Sequence, residues 1–477
     1  MYTTRCSLAW LIILLFPAAC QLQANKTEAD PPAQPNILFI AVDDLRPELN
    51  CYGKSQIISP NINRLAQRST LFNRAYCQVP VCGASRASLL TGLRPTRDRF
   101  IDFATWARDD APEAITLPQH FKSQGYHTIS NGKIFHHQED KPESWSEGAW
   151  RPTPANGNWR DYVTDESLEI AKENERGPSY EAADVPDTAY FDGKIAAKTI
   201  RDLQRLKQQD KPFFLAAGFM KPHLPFNAPQ KYWDLYDREA LPEASNPFRS
   251  ESAPDAAFHN FGELRQYAGI PAEGPLSEEM AKTMVHGYYA CTSYTDAQIG
   301  KVLDALEALG LADNTIVVLW GDHGWNLGEH GLWCKHCNFE TSLRAPLLIH
   351  APGLPEGQRT NALTEFIDIY PTLCELSGLP VPTHLDGQSL VPLLSQPDSP
   401  GKDYVLSKFH EGFTIKNDRY RYTEWSEEDG EVYARMLYDH QQDSLENINI
   451  VNQPENEAIV EELRQQLYQV YQEDFAN

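Results

Sequence analysis

The run Asn36-Ile37-Leu38-Phe39-Ile40-Ala41-Val42 is almost wholly apolar and stops at Asp43-Asp44. Apolarity without alternation indicates a strand buried on both faces, as in a parallel sheet. Thr315-Ile316-Val317-Val318-Leu319-Trp320 repeats the pattern and stops at Gly321-Asp322-His323-Gly324. Tyr126 to Ser130 and Pro212 to Gly218 read as two further strands. Helical periodicity lies between them and is clearest from Thr295 to Leu311, where Ile299, Val302, Leu303 and Leu306 share a face and Gly310 suits the C-terminal cap. Alternating strands and helices predict an α/β fold, a large mostly parallel sheet sandwiched by helices, and ligands gather beyond the carboxyl ends of such strands. Glu139 to Pro186 and Tyr232 to Glu278 are rich in Pro, Gly and charge, and read as long loops over the sheet edge. From about residue 400 the texture changes. Tyr404 to Phe409, Phe413 to Lys416 and Arg419 to Trp425 read as short strands, and Glu457 to Val470 as a last amphipathic helix with Asn456 as its N-cap. They predict a smaller C-terminal antiparallel sheet plus helix.

The resulting organisation is a signal peptide at 1–24, a polar linker at 25–35, a large α/β domain at 36–398 and an α+β subdomain at 399–477. The leader has Arg5, an apolar run from Leu8 to Phe16, and small residues after Pro17. That run is too short to span a bilayer. Cleavage near Ala24 and lipidation of Cys20 in a bacterial lipobox both fit, so the product is exported: periplasmic, secreted or lipid-anchored at the cell surface. A formal charge of −24 argues against wrapping nucleic acid or lying on an anionic membrane, leaving an anchor at Cys20 as the membrane link. Cys334-Lys335-His336-Cys337 resembles half a zinc knuckle but has no second half.

Chemistry-bearing residues follow the strands. Asp43, Asp44 and Asp322 supply hard oxygen donors, and adjacent aspartates repel unless a cation lies between them. Oxygen-rich ligation favours Ca²⁺ or Mg²⁺ over Zn²⁺, and His323 is the unusual donor. Val81-Cys82-Gly83-Ala84-Ser85-Arg86-Ala87-Ser88-Leu89-Leu90-Thr91-Gly92 opens a helix whose unpaired N–H groups face Cys82, an anion-binding geometry. Lys133 and His136 follow the third strand in Gly132-Lys133-Ile134-Phe135-His136, with His137 an equally placed alternative. Pro222 and Pro225 stiffen the loop presenting His223, and Lys335 follows Gly328-Glu329-His330-Gly331.

Together these segments resemble the type I sulfatases of the alkaline-phosphatase superfamily, in their iduronate-2-sulfatase-like branch. The matching pieces are Val42 to Pro47, Cys82 to Gly92, Gly132 to His136, Lys221-Pro222-His223, Asp322 to Lys335 and Phe366 to Leu373. Asp322-His323 in place of Asp-Asn, and Lys133-x-x-His136 in place of Lys-x-His, point to that branch. The resemblance implies an alkaline-phosphatase-like fold and a sulfuric ester hydrolase. Cys82 would be oxidised to formylglycine by a maturation enzyme, although Ala84 stands where the commonest signature has Pro. The hydrated aldehyde would be the nucleophile. One Ca²⁺ per chain would be bound by Asp43, Asp44, Asp322, His323 and residue 82. Arg86 would assist the nucleophile, Lys133 and Lys335 would neutralise sulfuryl oxygens, His223 would protonate the leaving sugar oxygen, and His136 would release the sulfate. The implied substrate is a sulfated oligosaccharide or polysaccharide, either uronic-acid-containing, such as 2-O-sulfated iduronate, or algal. A phosphate or phosphonate ester hydrolase of the same superfamily and a non-catalytic glycan-binding lipoprotein are the alternatives.

Overall fold

The computed structural model describes residues 1–3, 34–154, 157, 159–174 and 176–472. The expected leader beyond residue 3, Cys20 and most of the linker lie outside the described residues. Among the described residues no helix is long and apolar enough to cross a membrane.

The main sheet is built from β1 (Asn36–Val42), β2 (Thr70–Phe72), β3 (His127–Gly132), β4 (Phe213–Phe219), β5 (Thr315–Gly321), β6 (Leu347–His350) and β7 (Gln358–Thr360). Its order is β7-β2-β6-β5-β1-β4-β3. β1 pairs in parallel with both β4 and β5, β3 is parallel to β4, and β7 to β2. β6 alone runs against its neighbours. Continuous apolarity along β1 has a direct cause. Ile37, Phe39 and Ala41 enter one core with Ala84, Leu89 and Leu90, whereas Leu38, Ile40 and Val42 enter a second with Ile195, Leu203, Ile299 and Val302. Helices on both faces leave no solvent side on which polar residues could alternate.

Three expectations change. The helix expected from Thr295 spans Glu278–Ala308, with the Ser277 hydroxyl accepting from the Met280 N–H and Gly310 just past its end at φ +65°. Residues 283–296 are buried at every position, which erases the periodicity that marked the later turns. The segment expected as loop from 139 to 186 contains a helix at Asp165–Glu173 and a strand at Tyr180–Ala183; 232 to 278 contains short helical turns. Asn456 does not cap the last helix with its side chain, because its amide donates instead to the carbonyl of Ile450 and to Gln453.

The C-terminal strands β8 (Tyr404–Phe409), β9 (Gly412–Asn417), β10 (Tyr420–Ser426) and β11 (Val432–Asp439) form an antiparallel meander. Leu463 and Leu467 of the final helix Glu457–Val470 pack on Leu406, Phe413, Ile415, Tyr422 and Leu437. The chain from Pro35 onward groups as one compact unit.

Candidate active site

The carboxyl ends of β1 and β5 are tied together by the acids themselves. The Asp43 N–H donates to Phe219 O (3.1 Å), the Asp322 N–H to Val42 O (3.3 Å), and the Asp44 N–H to the Asp322 carboxylate (2.9 Å). Asp44 sits in the left-handed region at φ +59°. That conformation is uncommon outside glycine, but Asp tolerates it better than bulkier residues do. Tyr288 holds the bend: its hydroxyl donates to Asp44 O (2.8 Å) and accepts from the Arg46 N–H (2.9 Å). Asp43, Asp44, Asp322 and His323 are all fully buried.

Cys82 is the first residue of the helix Cys82–Thr91 and is buried, with Sγ 3.4 Å from His323 Nε2 and 3.8 Å from Asp44 Oδ1. One turn along, Arg86 is also buried. Its guanidinium donates to Asp322 (2.9 Å), to Asp43 (3.1 Å) and to the carbonyls of Lys133 and Ile134 (3.1 Å to the latter). The arginine therefore joins the cysteine helix, both metal-type strand ends and the β3 loop. A buried ion pair of this kind is costly to break, because removing one partner leaves the other desolvated and unpaired.

Two glycines admit Lys133 to the site. A Cβ on Gly132, at φ +78°, would lie 2.1 Å from Gly218 O, and one on Gly218 would lie 2.1 Å from Lys133 O. Their absence lets the Lys133 N–H reach Gly218 O (2.9 Å) and its ammonium reach Asp43 (2.6 Å). His136 then lines the cleft, with Nδ1 buried and without a partner among the described residues. His137 turns away and stacks on Trp106 at 3.9 Å, so the structure separates the two histidines that sequence left equivalent.

His223 and Lys335 meet at a residue the sequence reading missed. Glu263 lies 3.0 Å from Lys335 Nζ and 3.3 Å from His223 Nε2, while Lys335 also reaches both Asp44 oxygens at 3.1 Å. Glu263 comes from the short turn Gly262–Arg265, with no motif to mark it. His259 locks this turn to the lysine loop: one ring nitrogen donates to Lys335 O (2.8 Å) and the other accepts from the Phe261 N–H (2.9 Å). Lys335 is flanked by Cys334 and His336 at φ +70° and +53°. Such strain persists only where the surroundings over-determine the loop.

Electrostatics set the protonation states. Burial would raise Asp43, but the charges of Lys133 and Arg86 outweigh it and hold the carboxyl well below the usual range. Asp44 goes the other way: burial, with Asp43, Glu263 and Asp322 nearby, pushes it well above that range despite Lys335. Burial and the positive charge of Lys133 lower His136 to about 2; burial and Lys335 hold His223 well below the ordinary histidine value. Burial thus favours the neutral form of both rings. Burial opposes ionisation of Glu263, yet Lys335 and His223 bring it down to about 2. Burial, then Asp43, pushes the unmodified Cys82 thiol well up.

A divalent cation fits these residues. Carboxylate oxygens of Asp43, Asp44 and Asp322 converge, as do Asp44, Cys82 and His323. His323 Nδ1 donates to Gly324 O (2.9 Å), which leaves the Nε2 lone pair facing Asp44 (3.4 Å) and Asp322 (3.7 Å). A lone pair aimed at two carboxylates is repulsive until a cation or proton intervenes, and the raised Asp44 carboxyl reports the same electron-rich centre. Oxygen donors dominate, which suits a hard cation.

The site opens into a cleft of about 940 Å³. Cys82, Lys133, His136, His223, Glu263 and Lys335 form its base; Phe103, Trp159, Phe409, Trp425 and Tyr433 stand among its walls. Phe103 and Trp159 are 61% and 45% exposed, so their rings are open to a ligand. Seven cysteines, Cys82 included, are buried and unpaired among the described residues.

The fold is alkaline-phosphatase-like, and similarity to known proteins places the chain further. The Sulfatase family model matches residues 35–379, and the model for the C-terminal part of N-sulphoglucosamine sulphohydrolase matches 328–473. Iduronate 2-sulfatase of Mus musculus is 32% identical over 514 aligned positions, covering 90% of this chain and 93% of that protein. A structure in complex with its substrate D-glucosamine-2-N,6-O-disulfate superposes with TM-score 0.74 at 22% identity, over 93% of this chain and 98% of that one. The phosphonate monoester hydrolase of Agrobacterium radiobacter gives 0.75 at 22%, over 92% and 96%. The chain belongs to the sulfatase family and is a sulfatase enzyme.

Proposed function

We propose that this protein is an exported sulfuric ester hydrolase that removes sulfate from a sulfated glycan, with a uronic-acid-containing chain as its substrate class. The observation that carries this reading is Cys82 at a buried helix N-terminus, between an electron-rich cation site and two lysines, at the base of an aromatic-walled cleft. Aromatic faces suit sugar rings, and the lysines suit a sulfate.

Asp43, Asp44, Asp322 and His323, with residue 82, would hold one Ca²⁺, which supplies charge stabilisation for the sulfuryl oxygens. Cys82 converted to formylglycine supplies a nucleophilic hydroxyl that the protonated, buried thiol cannot. Arg86 keeps residue 82 in register with both strand ends through Asp43 and Asp322. Lys133 and Lys335 face the sulfate and offset its charge. His223 is the general acid. Its Nδ1 donates to Leu224 O (2.6 Å), so Nε2 is the atom that must carry the transferable proton. In the free protein Lys335 and Lys133 oppose that proton. A bound sulfate offsets both lysines, and Glu263 at 3.3 Å favours the imidazolium, so protonation accompanies substrate binding. His136, neutral and with a free Nδ1, accepts a proton in the step that releases sulfate.

The deciding experiment compares sulfate and phosphate release from matched aryl esters, together with intact mass of the peptide bearing Cys82. Preferred sulfate release and an aldehyde at residue 82 are expected. Preferred phosphate or phosphonate release would move the protein to the sister activity, and an unmodified thiol without turnover would make it a binding protein.

A further inference from the structure

The cations at the base of the cleft are already engaged. Lys133 is taken by Asp43, Lys335 by Asp44 and Glu263, and Arg86 by Asp43 and Asp322. Arg151 differs. It lines the same cleft and is half-buried, yet no carboxylate among the described residues pairs with its guanidinium. Its Nη2 donates to the carbonyls of Phe135 and His136 (2.9 Å to the latter), and Nε makes a long contact of 3.4 Å with Gly132 O. These carbonyls belong to the stretch that carries Lys133 and His136, so the guanidinium is fixed relative to the sulfate position. Nη1 has no hydrogen bond to a described residue.

The surroundings make the missing partner informative. The chain has 66 acidic residues against 42 basic ones, so a carboxylate partner was not scarce. Burial, with Arg86 nearby, lowers Arg151 to about 10, outweighing the more distant charges of Asp43 and Glu139, neither of which forms an ion pair with it. It stays charged at neutral pH. A planar, preorganised guanidinium is suited to fork-like recognition of a carboxylate or sulfate.

We propose that Arg151 is a specificity-determining residue that binds a second anionic group of the substrate, a carboxylate or a further sulfate, while the scissile sulfate ester lies at residue 82. This rests on the sulfated-glycan reading above and deepens it: the substrate carries at least two anions, held at a fixed separation.

The test uses the full-length mature protein and its Arg151→Met and Arg151→Lys variants. The substrates are nitrophenyl sulfate, a sulfated uronate disaccharide, its carboxyl-reduced counterpart, and a disulfated disaccharide without a uronate. A charge-assisted hydrogen bond corresponds to about 10- to 100-fold in affinity. KM for one doubly anionic sugar should therefore rise by about that factor more than KM for nitrophenyl sulfate, with Lys rescuing only part. Deleting that anion from the sugar should abolish the difference between wild type and variant. Carboxyl reduction identifies a uronate partner; loss confined to the disulfated sugar identifies a second sulfate. Equal losses on every substrate would show a structural role through the 132–136 carbonyls and overturn the assignment, as would equal KM changes on singly and doubly anionic sugars. If wild type cleaves no sulfate ester, the sulfatase reading falls. Calorimetric binding of the same sugars to Cys82→Ala and Cys82→Ala/Arg151→Met proteins then decides the Arg151 assignment alone, with unchanged affinity refuting it.

Discussion

Replacing Glu263 by Gln probes the acid chemistry at its least obvious point. The carboxylate lies 3.3 Å from His223 Nε2 and 3.0 Å from Lys335 Nζ, and it is ionised above about pH 2. Gln keeps the shape and a hydrogen-bonding oxygen but removes the charge. An opposite charge at this range shifts a titrating partner by about 1–3 pH units. Glu263 opposes the burial and lysine charges that depress His223, so its loss must move His223 further down. Activity that needs imidazolium disappears as pH rises through the histidine's value; in the variant that loss comes about 1–3 units earlier. At neutral pH, kcat on an alkyl sugar sulfate should fall by about 10- to 1000-fold, each pH unit being about 1.4 kcal/mol. Nitrophenyl sulfate needs no protonated leaving group and should lose much less. The assay is kcat against pH on both substrates. An alkaline limb at the wild-type position in Glu263→Gln, or equal losses on the two substrates, would refute the link between Glu263 and the acid.

Other consequences follow from the same geometry. Chelation should abolish activity and lower Tm, because the converging carboxylates and the His323 lone pair lose their counter-charge; Ca²⁺ should restore both, and rescue by Zn²⁺ alone would contradict the assignment. Gly132→Ala places a Cβ 2.1 Å from Gly218 O at φ +78°, and should cost about 3 kcal/mol or more by denaturant titration; an unchanged midpoint would show that β3 and β4 can separate freely. Cys82→Ser should fold normally yet stop after at most one turnover, trapping a sulfuryl group on residue 82 detectable by peptide mass. Sustained turnover would show that residue 82 is not the covalent nucleophile.

The parts legible in sequence share one property: their signal is local. β1 and β5 announce themselves by unbroken apolarity, and the acids follow at the next positions, so Asp43, Asp44, Asp322 and His323 could be placed at one sheet edge without coordinates. Cys82, Arg86, Lys133, His136, His223 and Lys335 sit in short runs beside such strands, and the structure brings all of them together. His136 and His137 could not be separated, because the choice depends on Trp106 stacking from another segment. β6, β7 and β2 have only three or four residues each, too few for a periodic pattern.

Glu263 and Arg151 escaped for a different reason, which bears on how the enzyme divides its labour. Both come from stretches without a clear period, held by side-chain and carbonyl contacts with distant segments. His259 fastens the Glu263 turn to Lys335, and Arg151 fastens its own segment to the Gly132–His136 carbonyls. Sheet-edge residues have their positions set by strand register, which makes them suited to the invariant demands of sulfate ester cleavage. The irregular segments can change length and composition without disturbing that register. Each also brings one charged group to the cleft: Glu263 lies beside His223, and Arg151 is the group proposed to meet a second anion of the substrate. If reaction type is carried by strand ends and substrate choice by the stretches between them, as the proposed roles require, exchanging residues 139–186 with those of a relative should change KM among sulfated sugars far more than turnover of nitrophenyl sulfate.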